Sequence, residues 1–397
     1  MSDRFRSAAA ERRRGLLTFG GVAGVTALII ALAAATPDPV PPGPPPATVF
    51  AFAREPDVRV KIRSIEPGGS VRLRGVADGD VVRDVTIKNE AGLLRVDGEP
   101  AETPRQFEAP PERTIAVEEL RYRGELVVAA EPGRPNLLLI NRLPMDRSLE
   151  GVVLSEMSAK FPEEALRSQA VASRSYAAYK VQAMRSRPFD VSDTQMSQVY
   201  KGALDRGRSL AARLVSETRG LVLVHEDRVL EAVFSSTCGG TTRSAEEAFG
   251  ASAPAPLDGV PCGKCEGTEF ATWRCKVKRA TLGKALGLSG PVIAIEDERR
   301  LPSDRLAGVT FKAARGSKRL SGGELRQILG DKALSTWFTN LAIDGDSFTA
   351  EGRGYGHGAG LCQVGARTLA NAGGSWREIL TYYYPGAGVA YLYPPSG

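Results

Sequence analysis

The sequence predicts an α+β protein: an N-terminal transmembrane helix, then a small β-rich region, then a larger mixed domain. Three observations carry this. Arg12, Arg13 and Arg14 precede an uncharged run over residues 15–35. Residues 56–145 hold short runs of alternating character, such as Val58-Arg59-Val60-Lys61-Ile62 and Ser70-Val71-Arg72-Leu73, separated by Gly, Pro and Asp turns. From Ser148 onward the apolar residues recur at helical spacing, and later segments alternate strands with helices.

The first 14 residues read as a basic cytoplasmic tail. The run over residues 15–35 is long enough to span a hydrocarbon layer of about 30 Å as helix. Ala33 and Ala35 also make an A-x-A-like ending, so this segment is either an anchor or a signal. In both cases the remainder is expected outside the cytoplasm, in the periplasm or on the outer face of the membrane. Residues 36–50, with PDPVPPGPPP at 37–46, form a Pro-rich linker of extended polyproline II character. The β-rich N-terminal region is placed at 51–117 and the main domain at 118–397. Of the formal net charge of +6, three come from Arg4, Arg6 and Arg12 to Arg14 less Asp3 and Glu11, so the exported part is only mildly basic. A dense Lys/Arg stripe with interleaved aromatics is missing, which argues against nucleic acid as a partner.

Two helices open the main domain, one over about 149–159 and one starting at Pro162-Glu163-Glu164, where proline suits the first turn and acids suit the dipole. Leu149, Val152, Val153 and Glu156 fall at i, i+3, i+4 and i+7, which puts Glu156 on an apolar stripe. A carboxyl group there is desolvated and tuned upward as a proton donor. Arg174 also faces inward, among Leu166, Ala170, Val171, Ala177 and Ala178. It is either a core partner of Glu156 or a group that orients it and binds an anionic part of substrate. A hairpin is expected from strands at 220–224 and 229–234 around Glu226-Asp227.

Near the C-terminus, Gly352-Arg353-Gly354-Tyr355-Gly356-His357-Gly358-Ala359-Gly360 follows a strand at 347–350 and precedes a helix. No Walker lysine or βαβ unit accompanies it, so it is not a phosphate cradle. The glycines present His357 either as a polar tool or as a satisfied histidine in a tight turn. A Cys362/His357 nucleophile pair is an outside alternative, since Cys362 reads as the buried first turn of a helix.

Five cysteines cannot all pair within one chain. Cys262-Gly263-Lys264-Cys265 has the spacing that brings two thiolates to one tetrahedral metal, with Cys238 as a third ligand and Cys275 as the candidate fourth. A structural zinc ion is therefore one reading. A Cys262–Cys265 or Cys238–Cys275 disulfide is the other. No organic cofactor is indicated.

Four ordered stretches together resemble the SpoIID/LytB family: LPMDRSLEGVVLSEMSAKFPEEALRSQAVASRSYA at 143–177, SDTQMSQVYKG at 192–202, ETRGLVLVHEDRVLEAVFSSTCGGTTRSAEEAFG at 217–250, and GRGYGHGAGLCQVGARTLA with its trailing ILTYYYPGAGV. Residues 118–397 then form a SpoIID-like catalytic domain. The resemblance implies a peptidoglycan lytic transglycosylase, a lyase acting on denuded glycan strands in cell-wall and sporulation processes. Its single catalytic glutamate falls on Glu156. The resemblance further implies a glycan groove lined by Arg174, Ser197, Gln198, Tyr200, His357 and Gln363. For some members it implies a metal near the S-C-G-G and C-x-x-C segments. Because the family includes amidase enhancers, the alternative is a non-catalytic glycan-binding protein that recruits an N-acetylmuramoyl-L-alanine amidase. Thr241 and Ser235 stand where members carry histidine, Ser158 where proline is usual, and Tyr355 and Val364 where tryptophan is usual.

Overall fold

Alternating burial explains the first strands. In Asp57–Ile65 the side chains of Val58 and Val60 point into the core while their neighbours face outward. This strand lies in a five-stranded sheet, between Val191–Ser192 (parallel) and Leu137–Pro144 (antiparallel), with Glu125–Ala130 and Arg105–Glu108 beyond. The Leu137-Leu138-Leu139-Ile140 run is buried on both faces, as a central strand requires. A second, six-stranded sheet runs Glu99–Ala101, Leu93–Val96, Val81–Glu90, Ser70–Asp78, Ile115–Val117 and Leu120–Tyr122.

The structure, a computed structural model, describes residues 47–48, 51–110, 112–194, 197–203, 207–250 and 252–394, all within one unit, Pro44–Gly397. The basic tail, the run over 15–35 and the proline linker apart from Ala47–Thr48 lie outside the described residues. Among the described residues no helix is long and apolar enough to cross a membrane.

Leu137–Pro144 runs straight into helix α1, Met145–Glu156. This helix begins four residues earlier than its apolar stripe suggested, because Pro144 sits at the N-cap and Ser148 bonds back to the Met145 carbonyl inside the first turn. It stops at Glu156, since Met157 is extended. Helix α2, Glu163–Ala183, has Pro162 at its N-cap and two acids in its first turn. Helix α3, Arg208–Glu217, packs on both.

The expected hairpin forms at Leu221–His225 and Arg228–Val229, with Glu226 and Asp227 both at positive φ. Its second arm is shorter than expected. Tight bonds from Ala232 N–H to the Leu230 carbonyl and from Val233 N–H to the Glu231 carbonyl break the ladder. Phe234–Ser235 then pairs in parallel with Leu361–Cys362. The short helix α4, Ala245–Phe249, leads to the C-x-x-C segment.

Between that segment and the glycine loop lies an elaboration with its own core of Trp273, Phe311, Phe338 and Phe348. It comprises two three-stranded sheets with helices α5, Arg279–Ala285, and α6, Gly322–Leu329. Helices α7, Gln363–Asn371, and α8, Trp376–Tyr383, return to pack on α2. The larger of the two hydrophobic cores joins Val58, Leu126, Leu149, Val171, Leu223 and Leu380, so sheets and helices are mixed as the sequence indicated.

Candidate functional site

Glu156 is the last residue of α1, one turn beyond Val152 and Val153, which are buried. The stripe that packs α1 thus delivers the carboxylate to the start of α7. Its Oε1 accepts the Val199 backbone N–H at 2.6 Å and its Oε2 accepts Gln363 Nε2 at 3.2 Å. Burial raises its pKa above the ordinary carboxylate value, and these two donors only partly oppose that. The groups acting on it are uncharged.

Behind Gln363 stands a polar seam along α2. Gln363 Nε2 also reaches Gln169 Oε1 at 3.3 Å, and Gln169 Nε2 donates to Ser173 Oγ at 2.9 Å. Gln198 Nε2 donates to the Ser173 carbonyl at 2.8 Å, which anchors the loop carrying Val199. Ser197, partly buried, has its Oγ 3.5 Å from the Tyr176 hydroxyl. Gln169, Ser173 and Tyr176 were not singled out in the sequence. Their signal was there, as polar residues at i, i+4 and i+7 on the inward face of α2.

Arg174 is not a partner of Glu156. Its Nε donates to Asp146 Oδ1 at 2.8 Å, and its other nitrogens reach the Val215 and Leu221 carbonyls and Thr218 Oγ1. It is 0% exposed. Asp146 lies ten residues before Glu156, about 15 Å away along the helix. Arg174 faces inward as the helical period predicts, but it knits the first turn of α1 to the end of α3. Tyr200 is likewise interior, with its hydroxyl on Asn141 Oδ1 at 2.7 Å and its ring against Tyr122.

His357 has both ring nitrogens engaged by backbone. Nε2 is 2.7 Å from the Phe234 carbonyl, and Nδ1 accepts Ala359 N–H at 3.1 Å. This pattern fits the neutral Nε2–H tautomer, and burial pushes the pKa down to about 4. The glycines around it allow close backbone approach. A Cβ on Gly360, at φ +66°, would lie 1.9 Å from the Val233 carbonyl oxygen.

The sulfurs of Cys238, Cys262, Cys265 and Cys362 lie within 4.8 Å of one another, all four residues buried, with Cys238 and Cys265 at 3.5 Å. None of the five cysteines forms a disulfide. The fourth member is Cys362 and not Cys275. The period-two alternation of Thr272–Lys278 turns Cys275 into the separate core around Trp273 and Phe348. The Cys362/His357 nucleophile pair is thereby excluded on geometry, since the thiol faces the other sulfurs and the imidazole is occupied by backbone.

The four cysteines fit a tetrahedral divalent metal. Sulfurs about 2.3 Å from a zinc ion would be about 3.8 Å apart, close to the spacing present. Cys362 Sγ accepts N–H groups from Cys238 and Gly365 at 3.3 Å each, a second shell suited to a thiolate. Nearby, Arg305 is buried and donates to the Cys238 and Thr241 carbonyls, while its Nη1 finds no hydrogen-bond partner among the described residues. A four-thiolate centre with a divalent ion carries two negative charges and would offset that buried cation.

The fold and site therefore define a mixed α+β protein with one amide-held carboxylate beside a four-cysteine centre. Residues 134–225 match the stage II sporulation protein family. The chain is 32% identical over 268 residues to stage II sporulation protein D of Bacillus amyloliquefaciens, covering 63% of this chain and 75% of that protein. It is 27% identical over 363 residues to an uncharacterized protein of Brachyspira hyodysenteriae, covering 86% and 95% of the two chains. It is 28% identical over 290 residues to the amidase enhancer of Bacillus subtilis, covering 60% of this chain but 39% of that protein. The chain belongs to the stage II sporulation protein D family.

Proposed function

We propose that the protein is a lytic transglycosylase that cuts peptidoglycan glycan strands, with Glu156 as the single general acid/base. The observation that carries this is a carboxyl group whose pKa is raised by burial and whose two oxygens are held by uncharged donors, Val199 N–H and Gln363 Nε2. Such a group is kept protonated to higher pH than an ordinary glutamate and can still be regenerated within the cycle.

Glu156 would first protonate the oxygen between N-acetylmuramic acid and N-acetylglucosamine. As carboxylate it would then take the proton of the muramoyl C6 hydroxyl as that oxygen attacks C1. The product is a 1,6-anhydro end, and no water is consumed. One carboxyl group serves both steps, whereas the usual hydrolase design places a second carboxyl roughly 5–9.5 Å away. Val199 N–H and Gln363 fix the carboxyl plane, and each oxygen keeps a lone pair for substrate. Ser197 and the Tyr176 hydroxyl would contribute polar contacts to sugar beside it.

Cys238, Cys262, Cys265 and Cys362 would hold one zinc ion, which would cross-link these segments and take no part in the proton transfers. The membrane segment and linker expected over residues 15–50 would put this activity on the extracytoplasmic side. The similarity to an amidase enhancer supports a second reading, in which the same groove holds glycan and recruits an amidase without cutting. Incubating the full chain with peptide-stripped glycan and measuring anhydro ends by mass spectrometry separates the two. Ends made by wild type and lost in Glu156→Gln support the enzyme, and glycan binding without products in wild type overturns it.

A further inference from the structure

The four-cysteine centre and the candidate catalytic carboxylate are linked by one peptide bond and one hydrogen bond. Cys362 is the N-cap of α7, and its neighbour Gln363 is the first helical residue and the side chain that holds Glu156 Oε2. We propose that Cys362 couples the centre to the active site: its ligation fixes the first turn of α7, and through it Gln363, so that metal occupancy sets the position of the Glu156 carboxyl. This rests on the transglycosylase reading for its catalytic consequence, while the coupling itself is a property of the fold.

Three features support the coupling. The first is how the two segments are tied together. Leu361–Cys362 and Phe234–Ser235 form a parallel ladder, extended by Leu361 N–H on the Val233 carbonyl and Val364 N–H on the Ser236 carbonyl, and each segment carries a sulfur of the cluster, Cys362 on one and Cys238 on the other. The Cys238 N–H donates to Cys362 Sγ, so the two segments also meet at the sulfur itself.

The second is convergence. Four buried sulfurs lie within 4.8 Å of one another, a spacing that one tetrahedral ion would bridge, so an ion of a different size would move Cys362 relative to Cys238, Cys262 and Cys265. Cys362 cannot move without its neighbour.

The third is the narrow placement of Gln363. Its Nε2 is shared between Glu156 Oε2 at 3.2 Å and Gln169 Oε1 at 3.3 Å, distances near the limit of a useful hydrogen bond. A shift of a few tenths of an ångström in the first turn of α7 would therefore release Glu156 while leaving the Val199 contact, at 2.6 Å on another loop, in place.

Gln363 is thus a positioning residue, and the four cysteines act through it. A purely structural metal would lower the melting temperature on removal but leave the folded enzyme unchanged.

The test compares the full chain as isolated, after chelation, and after replacement of its metal by cadmium, a larger ion with the same preference for thiolates. In chelated but folded protein, kcat should fall about tenfold with KM nearly unchanged, the scale of one hydrogen bond to a charged group. Gln363→Ala should give the same loss with metal content intact, and chelating that variant should add little. If chelation unfolds the chain, the cadmium form decides. The Gln363 side-chain amide and Val199 amide NMR signals should both move on the metal exchange.

These signals read the coupling even if the wild type makes no anhydro ends, so failure of the catalytic reading is distinguishable from failure of this one. Independent, multiplying effects of metal removal and Gln363→Ala, or cadmium protein with both resonances unmoved, would overturn the proposal.

Discussion

Replacing Arg174 separates an interior ion pair from a groove residue. The guanidinium is fully buried, pairs with Asp146 at 2.8 Å, and donates to the Val215 and Leu221 carbonyls at 3.1 and 3.2 Å. Arg174→Met keeps most of the volume but removes the donor to the Leu221 carbonyl, leaves the Val215 carbonyl with only the Thr218 hydroxyl at 3.3 Å as a side-chain donor, and leaves Asp146 with the Tyr393 hydroxyl and a more distant Arg219. Breaking one side of a buried pair costs about 3–5 kcal/mol, a large part of the roughly 5–15 kcal/mol that holds a domain together. A urea melt should show a much lower midpoint, and Arg174→Met with Asp146→Leu should recover part of the loss, because the uncompensated charge is gone. Glycan affinity of the remaining folded protein should be unchanged. Full stability combined with weakened glycan binding would refute the reasoning and return Arg174 to the groove.

Other consequences follow from the same geometry. Gln363 Nε2 stabilises the ionised form of Glu156, so Gln363→Ala should raise that carboxyl's pKa further and move the alkaline limb of the pH–rate profile upward while lowering the rate. A limb that stays put or moves down contradicts the contact. His357 is held neutral with its pKa down near 4, against an unfolded value of about 6.5, so its stabilising contribution is complete above about 6.5. That contribution should be lost as pH falls toward 4, by at most about 1.4 kcal/mol per pH unit, and calorimetry on His357→Gln should show a shallower acid slope. Elemental analysis should find one metal per chain in wild type and Cys275→Ser but none in Cys362→Ser, because Cys362 and not Cys275 joins the cluster. Metal retained without Cys362 would rule out that ligand set.

What was legible in the sequence was local. The stripe through Leu149, Val152, Val153 and Glu156 located the carboxylate because helical spacing is a short-range property. The C-x-x-C spacing and Cys238 gave three members of the sulfur cluster for the same reason. The fourth was hidden because an elaboration with its own core separates Cys265 from Cys362, and only the tertiary fold brings them together. The donors to Glu156 were partly hidden too, since one is a backbone N–H with no side-chain signature. Helical period turns Arg174 inward and the family resemblance puts Arg174 and Tyr200 in a groove, yet both are interior, because an inward period does not distinguish a cleft from a core. His357 shows the same limit, because its glycine loop serves tight packing against residues 233–238.

The central claim is that Glu156 alone performs both proton transfers. The direct measurement is mass spectrometry of peptide-stripped glycan after incubation with wild-type full chain and with Glu156→Gln. The account predicts 1,6-anhydromuramoyl ends from the wild type, with no oxygen incorporated from ¹⁸O-labelled water, and loss of those ends by at least about a hundredfold in the variant. Reducing ends carrying ¹⁸O, or undiminished cleavage by Glu156→Gln, would contradict it.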